Sequence, residues 1–134
     1  MPSRFIAGSC LAALMLLAAC APHATTLERR TSPDNRFVAS LVKENRGGAV
    51  GSQSYNIYLS TNGTNPKNER RVFGASHCET ARFFWTADRK IVIQYSMDCE
   101  IYEFRNRWYE VSAYEGDPRG IASVEILLMR MAKD

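Results

Sequence analysis

Histidine is scarce in this chain: His23 and His77 are the only two in 134 residues. Catalysis by a nucleophile–histidine pair therefore has little to draw on. His77 beside Cys78 makes no dyad, because neighbours on a strand point to opposite faces. Gly-x-Ser-x-Gly, a phosphate-cradling glycine loop and a zinc-protease motif are all missing. No two cysteines show the close Cys-x-x-Cys spacing of a redox pair or a thiolate metal site. Neither charge is in marked excess. Beyond residue 19, sixteen Lys/Arg face fourteen Asp/Glu, so nucleic acid is not expected as a partner. Carboxylate pairs suited to glycoside chemistry occur among any fourteen acids, and none is singled out. Long apolar runs are absent too. The stretch from Phe5 to Leu17, after Arg4, is too short and too quickly ended to span a bilayer as a stable helix.

A basic start, a short apolar core and small residues before a cut are the marks of a secretory signal peptide. Its end reads Leu17-Ala18-Ala19-Cys20. This resembles the lipobox of bacterial lipoproteins, Leu-(Ala/Ser)-(Gly/Ala)-Cys, in all four positions. The resemblance implies thioether lipidation of Cys20, removal of residues 1–19, and acylation of the new N-terminus, palmitate included. Ala19-Cys20-Ala21 also fits an ordinary small-x-small site, but cleavage there leaves an unfavourable Pro22 directly after the cut. Cys10 has no lipobox before it and falls in the removed peptide. Two or three acyl chains anchor a protein essentially for good. Ala21 follows the cysteine where enterobacterial lipoproteins kept at the inner membrane have Asp. The analogy places the anchor in the outer membrane, facing the periplasm.

The remaining 115 residues suffice for one domain with one core. Residues 20–32 read as the lipidated cysteine and a short tether, which fully extended spans on the order of 40 Å at about 3.3 Å per residue. Residues 33–134 read as a β-rich globular domain. Its strands are expected over Phe37 to Lys43, Ser54 to Ser60, Ala81 to Thr86, Ile91 to Ser96, Ile101 to Arg105 and Trp108 to Tyr114. The tail is ambiguous: Ile121, Val124, Leu128 and Met131 share a helical face, while Val124, Ile126 and Leu128 alternate as in a strand. The fold class is thus mainly β: a small antiparallel sheet, sandwich or barrel-like domain of about six to eight strands, ending in a strand or a helix.

Thr31-Ser32-Pro33-Asp34-Asn35-Arg36-Phe37-Val38 aligns without gaps on Trp85-Thr86-Ala87-Asp88-Arg89-Lys90-Ile91-Val92. Both resemble the Ser-Pro-Asp-Gly-Lys turn-and-strand of TolB-like β-propellers. Two copies in 115 residues cannot build a ring of four or more blades, so what the resemblance implies is shared hairpin chemistry. The Asp can cap the backbone two residues on, and the next residue often needs φ > 0, which Asn35 tolerates better than Arg89. The opening at Ser32 is also similar to that of small β-rich bacterial lipoproteins, a likeness that supplies no activity.

Cys78 and Cys99 are expected to form a disulfide in an oxidising envelope. A tight turn centred between Asp88 and Arg89 sets them opposite each other and sets Phe84 opposite Ile93. The same register pairs His77 with Glu100 and Glu79 with Asp98. These four could take a divalent cation, with oxygen ligands favouring calcium; no other cofactor is expected. Like charges opposed on a strand pair are otherwise unfavourable, and a solvated strand end with a His77–Glu100 ion pair is the alternative. In the runs Phe83-Phe84-Trp85 and Trp108-Tyr109 at least one ring must lie on the less buried face. Phe83, Trp85, Trp108 and Tyr109 are accordingly the candidate partner surface. The reading that follows is a non-catalytic, membrane-tethered module that binds an envelope protein. The alternatives are an inhibitor of an external enzyme such as lysozyme, by analogy with small β-barrel lipoproteins, and a small metal-dependent hydrolase.

Overall fold

In the computed structural model, residues 23–45, 53–63, 69–109 and 123–132 are described. Cys20, the expected signal segment, Tyr114 and Ile121 lie outside them. Nine strands form among the described residues: β1 (His23–Thr31), β2 (Phe37–Asn45), β3 (Gln53–Thr61), β4 (Arg70–Ser76), β5 (Ala81–Ala87), β6 (Lys90–Tyr95), β7 (Glu100–Phe104), β8 (Arg107–Tyr109) and β9 (Ser123–Arg130). They make two sheets. Sheet A runs β1-β2-β3-β4-β7 and is antiparallel throughout. Sheet B runs β5-β6-β9-β8, with β9 parallel to β6 and antiparallel to β8.

The protein is therefore mainly β, a sandwich of two open sheets. Alternation along the inner strands builds most of the core. Phe37, Ala39 and Leu41 of β2, Tyr55, Ile57 and Leu59 of β3, and Phe73 and Ala75 of β4 belong to the same buried cluster as Phe83, Ile91, Ile93, Trp108, Val124 and Ile126 from sheet B. Phe37 and Trp108 meet edge to face, ring centroids 5.7 Å apart, and Phe73 meets Tyr95 at 6.2 Å. Burying each large aliphatic or aromatic chain contributes about 1.5–3 kcal/mol. The tail is a strand, because Val124 and Ile126 drop into this core two residues apart.

Two strands exceed the sequence expectation. The segment read as a tether is the edge strand β1, paired with β2 from His23 to Thr31. Its side chains are almost all exposed, so it carries no apolar alternation, and the backbone ladder holds it. A register shift between Thr26 and Glu28 leaves Leu27 half-exposed on this edge, and bulges and charges of this kind discourage edge-to-edge pairing. The other added strand, β4, hides its period for a different reason. A register shift opposite Ile57 and Tyr58 puts adjacent Val72 and Phe73 both in the core.

The β5–β6 hairpin also corrects the expected register. Ala87 does pair with Lys90, but Thr86 is bulged, so Phe84 opposes Val92 and Phe83 opposes Ile93. Without the bulge, Thr86 and Phe84 would face the core. With it, Phe83 and Trp85 do, and the Thr86 hydroxyl donates to the Lys90 carbonyl at 3.3 Å.

Candidate functional site

The turn joining β1 to β2 is the most tightly bonded local feature. The Asp34 carboxylate accepts the Ser32 hydroxyl at 2.5 Å and the Arg36 amide at 3.2 Å. The buried Ser32 hydroxyl in turn accepts the Phe37 amide at 3.0 Å. The Ser32 hydroxyl, foremost, holds the Asp34 carboxyl below the ordinary aspartate value; burial opposes it, and the Arg36 amide adds a smaller lowering. Asn35 sits at φ 61°, the left-handed conformation that Asn tolerates. Arg89, its counterpart in the second copy, does not adopt positive φ. The shared motif thus closes two different turns.

At the opposite end of the sandwich, Cys78 and Cys99 are joined in a disulfide. Both lie past the ends of β5 and β6, where Ser96 donates its amide to the Thr80 carbonyl at 3.1 Å and Asp98 accepts the Glu79 amide at 2.9 Å. His77, at φ 55°, turns the chain out of sheet A, and its Nδ1 lies 3.2 Å from Glu100 Oε2. The expected cation set therefore appears as two pairs of unlike kind. His77 meets Glu100 side chain to side chain, whereas Asp98 turns its charge onto a backbone N–H instead of opposing Glu79. Among the described residues, no three His, Cys, Asp or Glu side chains come together to hold a metal ion. A cleft of about 520 Å³ opens here, lined by Glu79, Thr80, Ser96, Met97, Asp98 and Met131.

The four aromatics of the expected partner surface do not share one face. Phe83 and Trp108 are core residues. Trp85 is half-buried against that core and donates its indole N–H to the Arg30 carbonyl at 3.3 Å, which joins the β1 edge to β5. Tyr109 alone of the four is well exposed. The structure thus spreads these rings between the core and the surface.

The outer face of sheet A holds a polar network that the sequence reading missed. Asn56 is fully buried there. Its Nδ2 donates to Ser54 Oγ at 3.3 Å, and its Oδ1 accepts the Tyr102 hydroxyl at 2.7 Å. Tyr102 occupies a register shift in β7 and lies across Gly74, where a Cβ would come within 2.5 Å of the ring. Gly74 is glycine because the ring needs that space. The Arg71 guanidinium stands 5.4 Å from the same ring centroid and binds Glu103. Burial works against the Arg71 charge, but the Glu103 carboxylate outweighs it and raises the pKa. Burial, and then the Glu44 carboxylate that accepts its hydroxyl, push the Tyr58 phenol up. These bonds lock side chains in place and supply no activated nucleophile. The one sequence signal for this network was a lone glycine inside a strand, facing an aromatic three strands further on in the chain.

No family model, curated protein or solved structure matches the chain. Its function has to be argued from its own residues.

Proposed function

We propose that the protein is a lipid-anchored, non-catalytic binding module of the bacterial envelope, attached through Cys20 and serving another envelope component. The observation that carries this reading is the four-residue match at Leu17-Ala18-Ala19-Cys20, followed after only Ala21 and Pro22 by the first residue of β1. A folded sheet edge three residues past an acylated cysteine keeps the sandwich at the membrane. Three of the described acids are committed to structural bonds. Glu103 is engaged by Arg71, Asp34 by Ser32 and a backbone amide, and Asp98 by the Glu79 amide.

Expression of the full chain in a Gram-negative host with radiolabelled palmitate tests the reading. Wild type is expected to take up label and to sediment with membranes, and Cys20→Ala to lose the label. An unlabelled wild-type protein with a different N-terminal residue would overturn the anchor.

A further inference from the structure

The outer face of an antiparallel sheet washed by water normally alternates to polar residues. On sheet B one row does not, although Arg82, Gln94, Lys90, Glu125 and Arg107 keep the rows beside it polar. The pairing registers place Phe84, Val92 and Leu127 in one row across β5, β6 and β9, and Met129 stands in the next row. Val92 is 6% exposed, whereas Leu127 and Met129 remain 43% and 48% exposed. Cations border this apolar strip. Arg82 opens the Met129 row, and Lys90 and Arg107 flank Glu125, the one acid on these rows. Lys90 Nζ lies 3.3 Å from Glu125 Oε2.

We propose that this face of sheet B seats on an anionic phospholipid surface, with Phe84, Leu127 and Met129 entering the headgroup boundary and Arg82, Lys90 and Arg107 meeting phosphates. The proposal rests on the lipid-anchor reading and extends it. An apolar strip with basic residues around it is the composition that binds at membrane interfaces. The length of chain before β1 points the same way. Three residues from Cys20 to His23 span roughly 10 Å, about the distance between two packed sheets. The far end of β1 touches β5 through the Trp85–Arg30 bond, so β1 runs along the edge of the sandwich on the side of β5. Standing on end is disfavoured. The end at which β1 begins carries Glu79, Asp98 and Glu100 against Lys43 and Arg130, no basic excess to draw anionic headgroups, so the sandwich tips onto its basic side. Sheet A's outer face is then turned away from the bilayer.

Two methionines provide an internally controlled test. Met129 lies on the proposed seat, and Met97, 54% exposed, lies at the acidic end. The mature protein isolated from membranes is reconstituted into phosphatidylcholine vesicles with and without phosphatidylglycerol, and sulfoxide formation by peroxide is followed at each methionine by mass spectrometry. Net attraction of two charges favours the anionic surface by roughly 30-fold, so Met129 is expected to oxidise roughly tenfold more slowly than Met97 on anionic vesicles. Leu127→Glu, a change at an exposed position, is expected to abolish that protection.

Equal rates at the two methionines on anionic vesicles overturn the seat, and so does protection of Met97 in place of Met129. Met129 protection that is as strong on neutral vesicles and grows with protein density assigns the face to a second copy and overturns the lipid seat. The mass of the N-terminal peptide from the same sample reports acylation separately. Protection of Met129 on anionic vesicles without acyl mass sustains the seat while the anchor fails. Absence of protection overturns the seat whether or not acyl mass is present.

Discussion

The two sheets of this sandwich share one core, yet their outer faces are finished differently. On sheet A, Asn56 and Ser54 lie buried beneath Tyr102, and Arg71, Glu103, Tyr58 and Glu44 bond to one another around them. Polar groups are buried there at low cost because each of these bonds replaces one to water. On sheet B the corresponding positions include Phe84, Val92, Leu127 and Met129, side chains that offer each other no directional bonds, and Leu127 and Met129 expose apolar surface. The outer face of sheet A is largely satisfied within itself, with Ser40 Oγ its buried hydroxyl lacking a hydrogen-bond partner. That of sheet B gains free energy when something covers it. A molecule can thus direct its binding without any cavity, by closing one face with hydrogen bonds and leaving the other open.

The largest expected effect concerns the link between the faces. The disulfide closes the loop that carries the β5–β6 hairpin of sheet B and returns the chain to sheet A, its cysteines 21 positions apart. Replacing both cysteines by alanine is expected to cost about 3 kcal/mol, read as a lower urea midpoint. Next comes the closed face itself. Gly74→Ala drives a methyl group against the Tyr102 ring and is expected to cost about 2 kcal/mol in the same assay. In a Tyr102→Ala background the penalty should vanish, and a penalty that persisted would refute the ring as its cause. The smallest effect belongs to the open face. Leu127→Gln is expected to change stability by less than about 0.5 kcal/mol, since the position is exposed. A loss comparable to that at Gly74 would mean that sheet B's outer face is already packed, and the contrast between the faces would collapse.

How much of this was legible depended on the kind of signal each residue gives. Phe37 to Lys43 and Ser54 to Ser60 announced strands through apolar and β-branched runs, and both form as β2 and β3. β1 gave no such signal, because an edge strand with exposed side chains is held by backbone bonds that any residues can make. β4 was hidden by a register shift that buries Val72 beside Phe73 and by a glycine serving a distant ring. For the candidate sites, nearness in the hairpin brought His77 to Glu100 and Cys78 to Cys99. The Asp98 carboxylate accepts the Glu79 backbone amide, a bond that side-chain pairing along the hairpin did not foreshadow.

By itself the sequence determined the class of structure, the turn chemistry of Asp34 and Asn35, and the pairing of Cys78 with Cys99. All of these rest on local preference, hydrophobic period or short separation along the chain. Only the tertiary structure decided which rings are core and which are surface. Phe83, Phe84 and Trp85 are consecutive and equally apolar, and one bulged residue, Thr86, fixes which of them face the core. It also decided that β9 lies parallel to β6, which brings Leu127 and Met129 beside Val92 and Gln94. That face exists because strands distant in sequence share a register, and a register between distant strands is set by the packing of the whole core.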